Sequence, residues 1–102
     1  MRTRITARHF KAPESLRAHV MKRVDKLGKV YDGITHASVV LDRAPSSIDD
    51  HLAEISINVY RRQLTARNGA ATHEEAIDRC AESLRRQILR YKSKLRGEHL
   101  RR

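Results

Sequence analysis

Residues 72–96 have the sequence THEEAIDRCAESLRRQILRYKSKLR, and this stretch decides the fold. At about 100° per residue, most of its apolar side chains fall on one stripe, because they recur at spacings of three and four, whereas Leu89 lies off the stripe. The stripe consists of Ile77, Cys80, Ala81, Leu84, Ile88, Tyr91 and Leu95. The stretch therefore predicts one long amphipathic helix that covers a hydrophobic core.

The start of this helix is marked by Thr72 followed by Glu75, the spacing of a capping box. In that motif the hydroxyl accepts a hydrogen bond from the third backbone N–H, and the carboxylate accepts one from the first. Acidic residues lie in the first turn and cations in the last turns, which suits the helix dipole at both ends. We predict a helix that begins at Thr72 and runs to Arg96.

The other side of the helix is cationic. Arg79, Arg86, Arg90 and Lys94 lie opposite the apolar stripe, and Arg85, Lys92 and Arg96 flank it on one side. Residues 79–102 contain nine cations and two acids, so this segment carries seven of the ten net positive charges. A solvated surface needs no such imbalance, because mixed charges keep a protein soluble with less self-repulsion. The distribution favours an anionic polymer as partner over a helix that is merely soluble.

The length and composition bound the organisation of the chain. A length of 102 residues allows one domain with a modest core, which we place at residues 1–96, followed by a basic C-terminal tail at 97–102. No apolar run approaches a membrane span and no signal-peptide region is present, so we expect a cytoplasmic protein with no membrane partner. The single cysteine, Cys80, lies in the apolar stripe, so we expect it to pack in the core.

The first 43 residues predict a strand, a helix and a second strand. Residues 2–9 alternate between apolar and polar side chains, as a half-buried strand does. Pro13 suits the first position of a helix, and Asp32 and Gly33 predict the turn after it. The apolar face of this helix consists of Leu16, Val20, Val24, Leu27 and Tyr31, and its outward side carries Lys22, Lys26 and Lys29, flanked by His19 and Arg23. Residues 34–43 alternate again and predict the second strand.

Residues 44–70 predict a loop and two further strands. Residues 44–50 contain proline, serines and aspartates, which are typical of a loop. Residues 53–60 alternate as a strand, and a shorter strand is expected around Leu64 and Ala66. The connection at Arg61 and Arg62 must be tight, although it lacks the Gly or Asn that a two-residue turn prefers. We expect Asn68 and Gly69 to end the last strand.

The order of elements predicts an α+β fold, β-α-β-β-β-α. A strand, a crossover helix and a strand in one sheet form a parallel pair, and the short connections that follow make the other strands antiparallel. Each helix has one apolar stripe, so we expect a four-stranded mixed sheet with both helices on one face. The two cationic sides would then form one surface with a groove between the helices.

The sequence carries no motif for catalysis or for a metal. The six histidines, at positions 9, 19, 36, 51, 73 and 99, are scattered and none has metal-ligand spacing. The four glycines are isolated, so there is no glycine-rich phosphate loop, and Cys80 has no identifiable base. We therefore expect no catalytic residue, no metal site and no cofactor, and we do not expect an enzyme.

Phosphate contact by arginine and lysine is the mode of nucleic-acid binding that the composition favours. One Phe and three Tyr are too few for a base-stacking sheet. No helix-turn-helix or zinc-finger spacing supports base-specific DNA recognition. Structured RNA fits better, because its A-form backbone is recognised by shape and charge. The alternatives are a general structured-RNA binder and, less favoured, a module that docks acidic proteins on its basic face.

Several short motifs, in this order and spacing, resemble the short form of the ribosome hibernation promoting factor and ribosome-associated inhibitor family. The motifs are Ile5-Thr6, Glu14-x-Leu16-Arg17, Lys26-Leu27, Val39-Val40-Leu41, Ala53-Glu54-Ile55, Ala76-Ile77-Asp78 and Leu84-x-Arg86-Gln87-Ile88. The resemblance implies a domain similar to double-stranded-RNA-binding domains that sits in the small ribosomal subunit. There it would occupy the path of mRNA and tRNA during stress or stationary phase and inhibit translation.

The resemblance also implies that ribosomal RNA is contacted by basic residues of both helices, and the periodicity adds Lys22 and Arg79. The predicted RNA-binding residues are Lys22, Arg23, Lys26, Lys29, Arg79, Arg86, Arg90, Lys92, Lys94 and Arg96. The expected partner is the small ribosomal subunit through its rRNA, with no DNA specificity. Off the ribosome we expect a monomer.

Overall fold

The structure, a computed structural model, describes residues 1–44 and 48–100. Within these residues the elements are β1 (Arg2–Ala7), α1 (Glu14–Val30), β2 (His36–Arg43), β3 (His51–Val59), β4 (Arg62–Ala70) and α2 (His73–Leu100). The predicted order is confirmed. Part of the predicted loop at 44–50, residues 45–47, lies outside the described residues, as do Arg101 and Arg102 of the predicted tail.

The strands form one mixed sheet in the order β1-β2-β3-β4. β1 and β2 are parallel, with Ile5 opposite Val39. β2 and β3 are antiparallel, as are β3 and β4. This is the predicted α+β arrangement of one parallel pair and two antiparallel pairs.

Both helices pack on the same face of this sheet, because their apolar stripes join the inward side chains of the strands in one core. α1 contributes Leu16, Val20, Val24 and Leu27, and α2 contributes Ala76, Ile77, Cys80, Leu84, Ile88 and Tyr91. The inward side chains of β2 to β4 are Ala37, Val39, Leu41, Ala53, Ile55, Ile57, Val59, Leu64 and Ala66, all buried. Cys80 is fully buried as predicted, and its thiol donates to the backbone oxygen of Ala53 at 3.4 Å.

The other face of the sheet is polar and is not covered by either helix. Arg67 donates two hydrogen bonds to Glu54 at 2.9 and 2.7 Å across β3 and β4. On the same face Ser56 and Thr65 hydroxyls lie 3.1 Å apart, and Gln63 donates to Asn58 at 3.1 Å. A sheet with one apolar and one polar face explains the alternation of β2 to β4 in the sequence, which only Val40 and Leu52 interrupt on the polar face.

Two predicted features of β4 are corrected. The two-residue turn consists of Tyr60 and Arg61, because Val59 pairs with Arg62. Asn68 and Gly69 lie inside β4, paired with Ala53 and Leu52, and do not end it. Gly69 has a packing role there, because a Cβ at this position would lie 2.9 Å from the backbone oxygen of Asp49.

The helix boundaries also differ from the predicted ones. Pro13 was predicted at the first helical position of α1, but it is the N-cap residue, and the helix begins at Glu14. α2 continues to Leu100, beyond the predicted end at Arg96. Thr72 caps α2 by accepting from the Glu75 N–H at 3.1 Å. The Glu75 carboxylate, however, accepts from Arg79 at 2.9 Å, so only the threonine half of the predicted capping box forms.

No helix in residues 1–44 and 48–100 is long and apolar enough to cross a membrane.

The facing of α2 can be tested with two leucines of the same helix. Leu84 is fully buried, whereas Leu89 is 43% exposed. We expect Leu84→Ala to lower the free energy of unfolding by about 2–5 kcal/mol, because it leaves a cavity in the core. Leu89→Ala should cost less than about 1 kcal/mol. Urea denaturation of both variants measures the difference, and equal losses would show that the helix is turned differently.

Candidate nucleic-acid interface

The two helices are joined by Asp78 of α2, which lies between two cations of α1. The His19 Nε2–H donates to Asp78 Oδ1 at 2.8 Å. Arg23 Nε lies 3.3 Å from the same oxygen, and Arg23 Nη2 donates to the Asp78 backbone oxygen at 3.5 Å. These contacts hold the first turns of α2 against the middle of α1, and they place one carboxylate next to the Arg23 charge.

A second link joins the end of α1 to the later part of α2. Lys92 Nζ donates to the backbone oxygen of Val30, the last residue of α1, at 3.0 Å. A cation at this position satisfies an open carbonyl and complements the negative end of the helix dipole. Nearby, the Tyr31 and Tyr91 rings meet edge to face with centroids 5.7 Å apart. The helices are therefore tied together at the middle and at the C-terminal end of α1.

Between these two links lies a cleft of about 310 Å³ with basic walls. It is lined by Arg23, Lys26, Leu27, Val30, Ala81, Glu82 and Arg85. We call this the inter-helix groove. Three of its residues are cations and one, Glu82, is an acid that lies 3.8 Å from Arg86. Lys26 and Arg85 are exposed, so their charged groups lie at an open cleft between the helices.

Most of the ten predicted RNA-binding residues are exposed. The exposed ones are Lys22, Lys26, Lys29, Arg79, Arg86, Arg90, Lys94 and Arg96, and the partly buried ones are Arg23 and Lys92. Three of the ten pair with carboxylates: Arg23 with Asp78, Arg79 with Glu75 and Arg86 with Glu82. The Arg86 pair is a loose, exposed contact of the kind that contributes little.

The structure does not bring all ten residues to the groove. Arg79 turns towards β4, where its Nη1 donates to the backbone oxygen of Gly69 at 3.1 Å. Lys94 also lies on the β4 side of α2, beside Arg61 and Arg62 of the turn. Of the ten predicted residues, Arg23 and Lys26 line the groove and Lys92 contacts α1. The predicted single basic surface is therefore formed only in part, and Arg79 and Lys94 lie across α2 from the groove.

Arg85 is a groove residue that the sequence prediction of the site left out. It lines the groove together with Lys26. The signal for it was present in the helical periodicity, because Arg85 flanks the apolar stripe on the same side as Lys92, which contacts α1. The side of the stripe on which a cation lies decides whether it faces α1 or β4.

The opposite end of the molecule gathers aromatic and titratable side chains, but in a structural arrangement. Buried His73 donates from Nε2 to the Asp42 backbone oxygen at 2.8 Å, and Phe10 stacks on its ring with centroids 4.5 Å apart. The hydrogen bond with His9 and the backbone N–H of Arg43 hold the pKa of Asp42 below its usual range. These contacts dock the start of α2 on the end of β2.

The same end of the molecule offers no site for a metal. His51 meets the His73 ring edge to face with centroids 4.7 Å apart, although the sequence placed these histidines in unrelated elements. No group of three His, Cys, Asp or Glu side chains in residues 1–44 and 48–97 is arranged to hold a metal ion. Burial raises the pKa of the Cys80 thiol, which disfavours the thiolate that a nucleophile or a ligand needs.

The fold and the paired cationic helices define a small α+β protein with one basic helical layer. Comparisons with known proteins show the family to which it belongs. The family model described as "Sigma 54 modulation protein / S30EA ribosomal protein" matches residues 3–96. The chain therefore belongs to this family, which confirms the resemblance to the ribosome hibernation factors. No curated protein matches the chain in sequence.

Two solved structures have the same fold. The N-terminal domain of Protein Y from Thermus thermophilus has a TM-score of 0.79 and 26% sequence identity, over 89% of this chain and 99% of that one. A ribosomal subunit interface protein from Coxiella burnetii has a TM-score of 0.83 over 91% of this chain and 99% of that one. Its sequence identity of 14% supports the fold alone.

The role of Asp78 in holding the helices together can be tested by its amide. We expect Asp78→Asn to lower the free energy of unfolding by about 1 kcal/mol, because the half-exposed carboxylate loses its attraction to Arg23 and His19. The loss should shrink in high salt. Glu82→Gln is the matched control on the same helix and should change stability by less than about 0.5 kcal/mol. Equal losses in thermal or urea unfolding would rule out a specific link through Asp78.

Proposed function

We propose that the protein binds the small ribosomal subunit in the cytoplasm and inhibits translation by steric occupation of the mRNA and tRNA channel. The observation that carries the proposal is the inter-helix groove, where cations from two rigid helices line one cleft in a member of a ribosomal-protein family. Off the ribosome the protein is a monomer.

Ribosomal RNA is bound by phosphate contacts in this proposal. Lys22, Lys26 and Lys29 are spaced by four and three residues along α1, so their successive Cα atoms are about 6 and about 4.5 Å apart along the helix axis. Arg85 and Arg86 add charge from α2. Such contacts fix position on an RNA backbone without recognising bases, as expected for a partner recognised by shape and charge. No DNA sequence specificity follows from them.

Arg23 and Lys92 have a positioning role at this surface. Each donates a hydrogen bond to the other helix: Arg23 to the backbone oxygen of Asp78, and Lys92 to the backbone oxygen of Val30. Both keep the spacing of the helices fixed, so the walls of the groove do not have to be ordered when RNA binds. Binding by a pre-organised surface loses less conformational entropy.

Inhibition by this route needs no chemical step. A bound domain of this size excludes mRNA and tRNA from the volume it occupies, and its affinity sets how long the subunit stays blocked. Long occupancy during stress or stationary phase would then keep the subunits in an inactive form. The same domain could alternatively bind structured RNA in general, since phosphate contacts are shared by all A-form helices.

Co-sedimentation with purified small ribosomal subunits tests the groove. We expect the double variant Lys26→Glu, Arg85→Glu to bind at least about tenfold more weakly, because two attractive charges at the phosphates become repulsive. The matched control is Lys11→Glu, Arg17→Glu, which reverses two exposed charges before and in the first turn of α1. The control should bind within about threefold of the natural chain, and all three proteins should melt within a few degrees of one another.

The same samples separate the candidate functions. Inhibition of in vitro translation should be lost in the groove variant and kept in the control. Failure of the natural chain to sediment with small subunits in low salt, combined with tight binding to arbitrary duplex RNA, would favour the general RNA binder instead. Equal weakening by the two double variants would show that overall charge, and not the groove, determines binding.

The salt dependence of binding measures the number of phosphate contacts. About six contacts predict a slope of log K against log salt of about −4 to −6. The groove variant should have a slope about two units shallower, one for each lost contact. Binding assays between about 50 and 200 mM salt give both slopes, and a slope near zero would exclude phosphate contacts as the source of affinity.

A further inference from the structure

The turn between β3 and β4 has an unusual backbone for its sequence. Arg61 adopts a φ of 62°, in the left-handed region that glycine occupies at no steric cost and that a β-carbon disfavours. Glycine or asparagine would serve this turn better. The chain has two consecutive arginines, at positions 61 and 62, instead. Arg61 is therefore present although its backbone conformation favours a residue without a β-carbon. Such strain is often found at functional sites.

Next to this turn lies a second basic cleft. Its volume is about 260 Å³, and it is lined by Tyr60, Arg61, Arg62, Tyr91, Lys94 and Leu95. Three of these six residues are cations and none is an acid. In residues 1–44 and 48–97, no carboxylate forms an ion pair with Arg61, Arg62 or Lys94. We call this the turn cleft.

The turn is held firmly on α2, so the cleft is preformed. The Tyr91 hydroxyl donates to the backbone oxygen of Tyr60 at 2.7 Å. Tyr91 is itself buried at the edge of the core, which fixes the turn relative to the helix. The turn cleft and the inter-helix groove have no residue in common and lie on different sides of α2.

The aromatic side chain of the turn is exposed in a way that the core does not require. Tyr60 is 61% exposed, and the Arg61 guanidinium lies 5.1 Å from the centre of its ring. A tyrosine backed by an arginine offers a flat face for stacking, and nucleobases stack on such faces whatever their sequence. An acidic peptide would use the three cations but would gain nothing from the ring, so these features favour a nucleic-acid strand.

We infer that the turn cleft is a second RNA contact, in which Arg61, Arg62 and Lys94 bind the phosphates of a single-stranded segment and Tyr60 stacks on one of its bases. This contact is separate from the inter-helix groove and works on a different form of RNA. The groove fits a structured backbone, whereas the turn cleft takes an unpaired strand. The protein then holds two RNA segments, one on each side of α2.

The test uses the full chain and an octamer of adenosine ribonucleotides, with binding followed by fluorescence anisotropy at about 50 mM salt. We expect Arg61→Gly to weaken binding at least about fivefold, although glycine relieves the backbone and should not lower the melting temperature. Tyr60→Ala, which removes no charge, should weaken binding about fivefold through the lost stacking. Lys11→Gln is the control for charge, because it removes one exposed cation at the other end of the molecule, and it should change binding less than twofold.

The location of binding is read separately by amide chemical shifts. We expect the octamer to shift the amides of residues 60–62 and 94 more than those of α1. The inference is overturned if Arg61→Gly or Tyr60→Ala binds like the natural chain, if Lys11→Gln weakens binding equally, or if polyglutamate binds as tightly as the octamer. Because the probe is not a ribosomal subunit, a failure here leaves the sedimentation result standing, and a failure of sedimentation leaves this result standing.

Discussion

The burial of one apolar stripe on α2 is the constraint from which the rest of the structure follows. Ile77, Leu84 and Ile88 are fully buried, and a helix whose stripe is fixed on a sheet cannot rotate about its axis. Every other side chain of α2 is then assigned a direction by its position relative to that stripe. Arg85 and Lys92 face α1, while Arg79 and Lys94 face β4. Hydrophobic packing thus determines where the charges lie, although charge contributes little to the packing.

The fold was predictable to a large extent because periodicity and end signals agree along the chain. The alternation in β2 to β4, the stripe of α1 and the threonine cap of α2 all have local causes that the sequence shows. The errors fall where another contact overrides the local signal. Gly69 does not end β4, because it pairs with Leu52 of β3, and the close approach of the Asp49 backbone leaves room there only for glycine. Glu75 does not close the capping box, because Arg79 competes for its carboxylate one turn later.

The candidate site was predictable in composition but not in layout. The sequence shows that two helices are cationic, and the shared sheet face brings them together. It does not show that the Asp78 carboxylate engages His19 and Arg23, because that contact joins residues more than fifty positions apart. The sequence also does not indicate a site at the turn of Tyr60 and Arg61, since nothing local distinguishes Arg61 and Arg62 from the other arginines of a basic chain. The three-dimensional structure is needed to distinguish the charged residues that link parts of the protein from those that face outward.

The central claim is that the helical face, and not the polar sheet face, meets ribosomal RNA. Electron cryo-microscopy of the protein bound to small ribosomal subunits tests it most directly, because it shows which face lies against rRNA. The account predicts that the inter-helix groove, with Lys26 and Arg85, lies against phosphates, while Glu54 and Arg67 of the sheet face stay paired with each other. A complex in which the sheet face contacts rRNA and both helices point into solvent would contradict it.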